Sequence, residues 1–151
     1  KCNMTDIQAA LGRAQLKKYS QQLLQRKSLA EAYHTAFSPH SWYIPPPLSD
    51  DRRESSYHLF SIRIAGFKPN QRDALMGHLQ ERGIASNVHF MPLPLLTLHK
   101  NRGEDISNYP NSLLAFGEVI SLPLHLQMNL DDINYVVESC AQFIHEFPRN
   151  D

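Results

Sequence analysis

Apolar residues recur at spacings of three and four across residues 5–37, a pattern that predicts one long amphipathic helix. Thr5 is the expected N-terminal cap, because Thr5 and Gln8 have the spacing of a capping box. The apolar stripe changes phase between Leu16 and Tyr19, so we expect a kink or a short break at that point. Because the helix is capped so near the first residue, we also expect a further region of polypeptide to precede it.

After residue 38 the pattern alternates between short apolar runs and helical periodicity. Three strands are predicted, at residues 57–64, 84–90 and 118–122. A helix is predicted after each strand, at residues 70–82, 110–116 and 129–144. In the first strand, His58 is expected to share the inward face with Phe60 and Ile62. Residues 39–56 and 91–109, which are rich in proline, are predicted to form surface loops.

These elements predict an α+β domain, in which a small and mainly antiparallel three-stranded sheet has helices packed on one face. The long, kinked helix precedes the sheet. We therefore divide the chain into a helical region, residues 1–37, and a small α/β domain, residues 38–151.

Composition and charge narrow the classes of function. Fifteen basic residues balance fifteen acidic ones in a chain of 151 residues, which disfavours nucleic-acid binding because that requires a basic excess on one face. No apolar run approaches the roughly 20 residues of a membrane helix. Two distant cysteines, Cys2 and Cys140, are typical of reduced thiols rather than of a disulfide framework. We expect a cytoplasmic protein.

Candidate chemistry in the sequence is sparse. The phosphate-binding glycine motifs and the nucleophile elbow are absent, and the eight histidines lack metal-ligand spacing, so no metal site is predicted. His89 and Phe90 lie at the end of a predicted strand and precede a rigid Pro-Leu-Pro run. This pair suits the wall of a ligand pocket, although a strand-end histidine without a ligand explains it equally well. We interpret His125 as half-buried and Trp42 as a cover on the core.

Three stretches in series resemble the DegT/DnrJ/EryC1/StrS aminotransferases. They are KCNMTDIQAALG at residues 1–12, NVHF followed by a Pro-Leu-Pro run at residues 87–94, and SLPLH at residues 121–125. The first resembles the segment that opens the C-terminal domain of that family, and the other two are similar to its later loop and strand-end motifs. Their order and spacing agree with the family over essentially the whole chain.

The resemblance implies a fold-type-I enzyme that uses pyridoxal 5′-phosphate (PLP) to move an amino group, usually from glutamate, to a keto nucleotide-sugar. Such enzymes act in the cytoplasm as homodimers, in polysaccharide or lipopolysaccharide biosynthesis. Their Schiff-base lysine belongs to a large N-terminal domain that has no counterpart here. The resemblance therefore implies that this chain contains no catalytic residue and is inactive alone.

The resemblance also assigns individual residues. Lys1 and Asn3 match the positions that reach the phosphate of the partner subunit's cofactor, in an order swapped relative to most of the family. His89 matches the loop histidine beside the sugar-nucleotide, and Phe90 matches an aromatic that is often Tyr. His99 falls where relatives commonly carry a Tyr near the nucleotide.

Two alternatives stay open at this point. The order β-α-β-α-β-α also fits ferredoxin-like domains, which would make the chain a stand-alone module that binds a small ligand or has a regulatory role. Relatives that keep the cofactor but act as sugar dehydratases are the second alternative. They carry histidine in place of the Schiff-base lysine, at a position outside this chain.

Overall fold

A computed structural model describes residues 3–147 and begins with one long helix, α1, from Asp6 to Phe37. The predicted capping box is confirmed, because the Thr5 hydroxyl accepts from the Gln8 N–H and the Gln8 side chain accepts from the Thr5 N–H at 2.9 Å. The predicted break between Leu16 and Tyr19 is wrong, since helix α1 runs without interruption through both residues. The phase change instead marks the stretch in which α1 leaves the core of this chain.

A three-stranded antiparallel sheet follows, in the order β1-β2-β3. Strand β1 is Tyr43–Ile44, β2 is Phe60–Ile64 and β3 is Val119–Leu122. Strand β2 lies in the centre, where Ile62 pairs with Ile120 of β3 and Ile64 pairs with Tyr43 of β1. The α+β class and the small antiparallel sheet are therefore confirmed.

In the described residues, β2 follows β1 without an intervening helix, three helices lie between β2 and β3, and one helix follows β3, so the predicted order β-α-β-α-β-α is wrong. Helix α2 is Pro69–Glu81, α3 is Thr97–Lys100, α4 is Pro110–Glu118 and α5 is Leu130–Glu146, with 3-10 turns at Leu93–Leu95 and Ile106–Asn108. Helix α5 has its own capping box, in which the Asn129 side chain accepts from the N–H groups of Asp131 and Asp132. Helix α5 packs against α1 and α2, and α4 packs against α2.

The predicted strand at residues 84–90 is wrong. Within it, Asn87 forms an isolated antiparallel bridge to Ser121, with backbone hydrogen bonds of 3.0 and 2.7 Å. Pro92 and Pro94 follow closely and have no N–H to donate to a longer ladder. The third strand is instead β1, which lies in the segment predicted to be a loop.

The core lies on one face of the sheet. The side chains on that face are buried: Phe60, Ile62, Ile64, Ile120 and Leu122. Phe60 stacks on Tyr33 of α1 with ring centroids 4.6 Å apart, and Tyr33 continues the stack to Phe37 at 6.0 Å. Burial of each such side chain contributes about 1.5–3 kcal/mol, so this aromatic stack fixes the C-terminal half of α1 on the sheet.

The expected inward position of His58 is wrong, and the backbone of the preceding residue explains why. Tyr57 has a left-handed conformation, with φ +50°, and β2 begins at Phe60. The two-residue alternation therefore does not extend back to His58. Tyr57 is buried in the core instead, while His58 is exposed beside α1, next to Arg26.

Candidate functional site

The segment that follows Asn87 carries the first two candidate residues, His89 and Phe90, and both side chains are exposed. The Asn87–Ser121 bridge anchors one end of this segment, and buried Pro94 anchors the other. Between these anchors the rings of His89 and Phe90 lie edge to face, with centroids 5.1 Å apart. Phe90 is 88% exposed, so this chain does not close a pocket over it. An aromatic face and an imidazole, both held open, can stack on a ligand and hydrogen-bond to it.

His99 lies farther along the same segment, on the short helix α3. Its ring is held in place, because Nδ1 lies 2.9 Å from Oε1 of Glu104. The backbone supports this pair, since the Glu104 N–H donates to the His99 carbonyl at 3.1 Å. Gly103 allows the chain to fold back in this way by adopting φ +82°, a conformation that favours glycine.

The other predicted ligand contacts belong to the N-terminus. Asn3 is exposed in the short segment that precedes the Thr5 cap. Its amide is free of the core and can bind an anionic oxygen. Lys1 lies outside the described residues. The structure thus brings the rings of His89 and Phe90 into contact. It places His99 ten residues farther along the chain, in contact with Glu104, and it places Asn3 just before the start of α1.

The structure does not support a complete PLP site within residues 3–147. A Schiff-base lysine works in a desolvated pocket that lowers its pKa, but Lys17, Lys18, Lys68 and Lys100 are exposed. Lys27 is half-buried and bonds to Glu54 with Nζ and Oε1 3.4 Å apart; its pKa is raised, in the first place by Tyr57 and then by Glu54. The described lysines therefore lack the setting that this chemistry requires.

Sequence reasoning missed two acidic residues that the structure singles out. Glu104 was not recognised as the partner of His99. Glu118, assigned to the start of a strand, is instead the buried end of α4, and its carboxylate accepts from the Arg63 guanidinium and from the Gly66 N–H at 2.9 Å. The sequence signal that could have indicated a buried, paired Glu118 is its position as a lone carboxylate between Phe116 and the apolar strand β3. Glu118 ties α4 to β2 and has a structural role.

The burial of the side chains tests the interpretations of Trp42 and His125, of which the first is confirmed and the second is wrong. Trp42 is buried and meets Phe37 edge to face at 5.8 Å, as expected of a cover on the core. His125 is exposed rather than half-buried, at the rim of a groove of about 610 Å³ that also contains Asp132 and Tyr135. The chain leaves β3 through Pro123 and turns outward before α5, which places this imidazole in solvent.

Residues 3–147 contain neither a metal-binding cluster nor a membrane-spanning helix. No three His, Cys, Asp or Glu side chains are grouped closely enough to hold a metal ion. Across the same residues, no helix combines the length and the apolar character needed to span a bilayer.

The chain is similar to aminotransferases along nearly its whole length. The profile of the DegT/DnrJ/EryC1/StrS aminotransferase family matches residues 1–141. The spore coat polysaccharide biosynthesis protein SpsC of Bacillus subtilis (strain 168) is 30% identical over 147 residues, which are 95% of this chain and 38% of SpsC.

Solved structures agree with this similarity. The putative sugar aminotransferase Spr1654 of Streptococcus pneumoniae, in its PMP-form, is 39% identical with a TM-score of 0.90, over 97% of this chain and 36% of that one. A PLP-form of Spr1654 matches equally well. Helicobacter pylori PseC, an aminotransferase involved in the biosynthesis of pseudoaminic acid, is 26% identical with a TM-score of 0.81, over 96% of this chain and 38% of that one. The chain thus spans less than two-fifths of the relatives that it matches.

Proposed function

The chain belongs to the DegT/DnrJ/EryC1/StrS aminotransferase family, and on this premise we propose that it forms the C-terminal domain of a PLP-dependent sugar aminotransferase. The full-length enzyme transfers an amino group from glutamate to a keto nucleotide-sugar. The observation that carries this proposal is the 39% identity and TM-score of 0.90 to a putative sugar aminotransferase. SpsC, named for polysaccharide biosynthesis, supports a place for the product in a cell-surface polysaccharide. We assign the enzyme to the cytoplasm.

In this proposal the reactive lysine and the cofactor pocket belong to polypeptide outside this chain. PLP, when bound, acts as the electron sink of the reaction. The described lysines are exposed or paired with a carboxylate, so they do not supply its Schiff-base partner. The chain alone is therefore expected to be inactive, and it contributes contacts that bind and orient rather than a catalytic group.

The substrate contacts are assigned to His89, Phe90 and His99. Phe90 offers an open aromatic face on which a nucleotide base can stack, an interaction worth about 1–3 kcal/mol. The His89 imidazole, 5.1 Å from that ring, can hydrogen-bond to the same ligand. His99 adds a ring whose orientation is already fixed by Glu104. Because His89 and Phe90 are exposed here, the opposite wall of the pocket must come from elsewhere in the enzyme.

The cofactor contacts are assigned to Asn3 and Lys1, across a homodimer interface. An amide donor and an ammonium group are both suited to the dianionic phosphate of PLP. Since both residues immediately precede α1, the direction of this helix would set their reach into the partner subunit. We therefore assign residues 1–37 to the interface between domains or subunits, and residues 38–151 to the small domain.

The N-terminal half of α1 supports this interface. Ile7 is 76% exposed and Leu11 is 62% exposed, although both belong to the apolar stripe of the helix, and Leu16, on another side of the helix, is 72% exposed. Apolar surface of this kind commonly marks a site of association. In the proposed enzyme, the large domain or the second subunit covers these side chains.

The test is to express the full-length protein that contains this chain and to record its visible spectrum. We expect the absorbance of bound PLP, its loss on addition of L-glutamate, and neither signal from the 151-residue chain. A full-length protein that never shows PLP absorbance would refute the proposal. A protein that binds PLP but eliminates water from the sugar, without transferring an amino group, would be a dehydratase instead.

A matched pair of variants tests the residue assignment. His89→Ala in the full-length protein should retain PLP absorbance and lose affinity for a nucleoside diphosphate, measured by calorimetry. His125→Ala is the control, because His125 is also an exposed histidine and is outside the proposed contacts. Equal affinities in the two variants would remove His89 from the site.

A further inference from the structure

The pairing of His99 with Glu104 fixes the position of the imidazole ring and also determines which of its two nitrogens carries the hydrogen. Nδ1 and Oε1 are 2.9 Å apart, and the exposed fractions of the two side chains are 20% and 38%. The His99 carbonyl accepts from the backbone N–H groups of both Arg102 and Glu104, at 3.0 and 3.1 Å. The turn thus lets Glu104 contact His99 twice, through the backbone N–H of Glu104 and through its side-chain carboxylate.

This geometry determines which ring nitrogen is available. An ionised carboxylate only accepts hydrogen bonds, so Nδ1 of His99 must carry the hydrogen that it donates to Glu104. In the neutral ring, Nε2 then has the free lone pair and acts as an acceptor. Without Glu104, the imidazole would be free to exchange tautomers and to rotate about its side-chain torsions.

We propose that Glu104 is a positioning residue that presents Nε2 of His99 as a hydrogen-bond acceptor to the nucleotide part of the substrate. The group recognised is a donor, either a ribose hydroxyl or a base N–H, rather than a phosphate oxygen. The inference rests on the proposed function, because that function places His99 beside the nucleotide. Glu104 itself does not contact the substrate.

The experiment uses the full-length enzyme with PLP bound, and UDP and dTDP as probes. Glu104→Ala should weaken binding of the better probe about fivefold to tenfold, the equivalent of one net hydrogen bond. Glu104→Gln should restore most of the affinity, since the amide oxygen still accepts from Nδ1. The rate at which L-glutamate removes the PLP absorbance should be unchanged in both variants, because this half-reaction does not involve the nucleotide.

A double-mutant cycle separates positioning from a general structural effect. In a His99→Ala background, Glu104→Ala should have no further effect on affinity, because the ring that it positions is gone. If Glu104→Ala weakens binding equally with and without His99, or also slows the glutamate half-reaction, its role is structural and the inference is wrong.

The remaining outcomes distinguish this inference from the proposed function. If His99→Ala weakens probe binding and Glu104→Ala does not, His99 keeps its assignment and the positioning role fails. If His99→Ala has no effect while His89→Ala does, His99 lies outside the site and the inference falls, although the proposed function stands. If the wild-type enzyme binds neither probe, the proposed nucleotide-sugar substrate fails, and the inference fails with it.

Discussion

The two halves of helix α1 each carry an apolar stripe, but these stripes lie in opposite environments. In the C-terminal half, Ala30, Tyr33 and Phe37 are completely buried against the sheet and α5. In the N-terminal half, Ile7 and Leu11 point into solvent, 76% and 62% exposed. Both halves are continuous helix. Helical periodicity therefore predicts that a face is apolar, but it does not say what covers that face.

The difference explains the phase change in the apolar stripe. The C-terminal half of α1 presents its apolar side to the core of this chain, whereas the N-terminal half presents a different side. A helix that packs on two partners in different directions needs two stripes out of register. We read the first stripe as the contact surface for the rest of the enzyme, and the predictions below test the contrast between the two halves.

The largest expected effect comes from truncating the buried half. Phe37→Ala removes a ring that stacks with Tyr33 and Tyr43 and meets Trp42 edge to face. We expect it to lower the free energy of unfolding of the 151-residue chain by about 3–5 kcal/mol. Leu11→Ala, on the exposed half, should change this quantity by less than about 0.5 kcal/mol. Urea unfolding measures both, and similar losses for the two variants would contradict the contrast.

The second prediction concerns alkaline pH. Burial raises the pKa of the Cys140 thiol to about 12, and burial also raises the pKa of Tyr33 above its usual range. The thiol ionises first in the unfolded chain, so its contribution to stability is present below about pH 9 and lost between about pH 9 and 12. The loss should approach 1.4 kcal/mol per pH unit for this one group.

Cys140→Ala is the matched control for the alkaline effect. It should make the unfolding free energy depend less on pH between about 8.5 and 9.5, where a tyrosine hydroxyl of the unfolded chain, with a pKa near 10, is still mostly protonated. If the wild type and Cys140→Ala show the same slope there, the buried thiol is not the cause.

The third prediction compares two tyrosines of α1. The Tyr33 hydroxyl donates to the Pro123 carbonyl at 3.0 Å, so Tyr33→Phe should cost about 1–2 kcal/mol of unfolding free energy. Tyr19 is 49% exposed in the other half, and Tyr19→Phe should have no measurable effect. Thermal unfolding of both variants checks this, and a Tyr33→Phe variant as stable as the wild type would count against the importance of the hydrogen bond.

The smallest expected effect distinguishes two helix caps. Asn129 caps α5, which packs on the core, so Asn129→Ala should lower the free energy of global unfolding by about 1 kcal/mol. Thr5→Ala removes the equivalent cap from the unpacked end of α1. It should fray the first turn, seen as faster amide exchange near Gln8, and leave global unfolding unchanged. Equal global losses would mean that both ends of α1 are part of the cooperative core.

Much of the fold could be predicted because its signals are local. The Thr5 cap, the periodicity of α1 and α5, and the alternation in β2 and β3 each depend on neighbouring residues. Strand β1 was missed because Tyr43–Ile44 is extended only through its pairing with β2. The error at His58 arose because the left-handed backbone of Tyr57 interrupts the alternation before β2.

The candidate site was less predictable than the fold. His89 and Phe90 could be selected because they lie between an apolar run and a Pro-Leu-Pro run, although the strand predicted there is only an isolated bridge at Asn87. Glu104 could not be, since its approach to His99 depends on the turn through Gly103. The residues that complete the pocket in our proposal lie on polypeptide outside this chain, so no pattern within residues 1–151 can describe them.

In the proposed enzyme, the rest of the protein covers the N-terminal half of α1. Hydrogen exchange of residues 6–19, compared with residues 26–37, in both the 151-residue chain and the full-length protein tests it most directly. An isolated stretch of helix without tertiary packing is only marginally stable. We predict that residues 6–19 exchange quickly in the chain and slowly in the full-length protein, while residues 26–37 are protected in both. Equally fast exchange of residues 6–19 in the two proteins would mean that the full-length protein leaves this half of α1 uncovered.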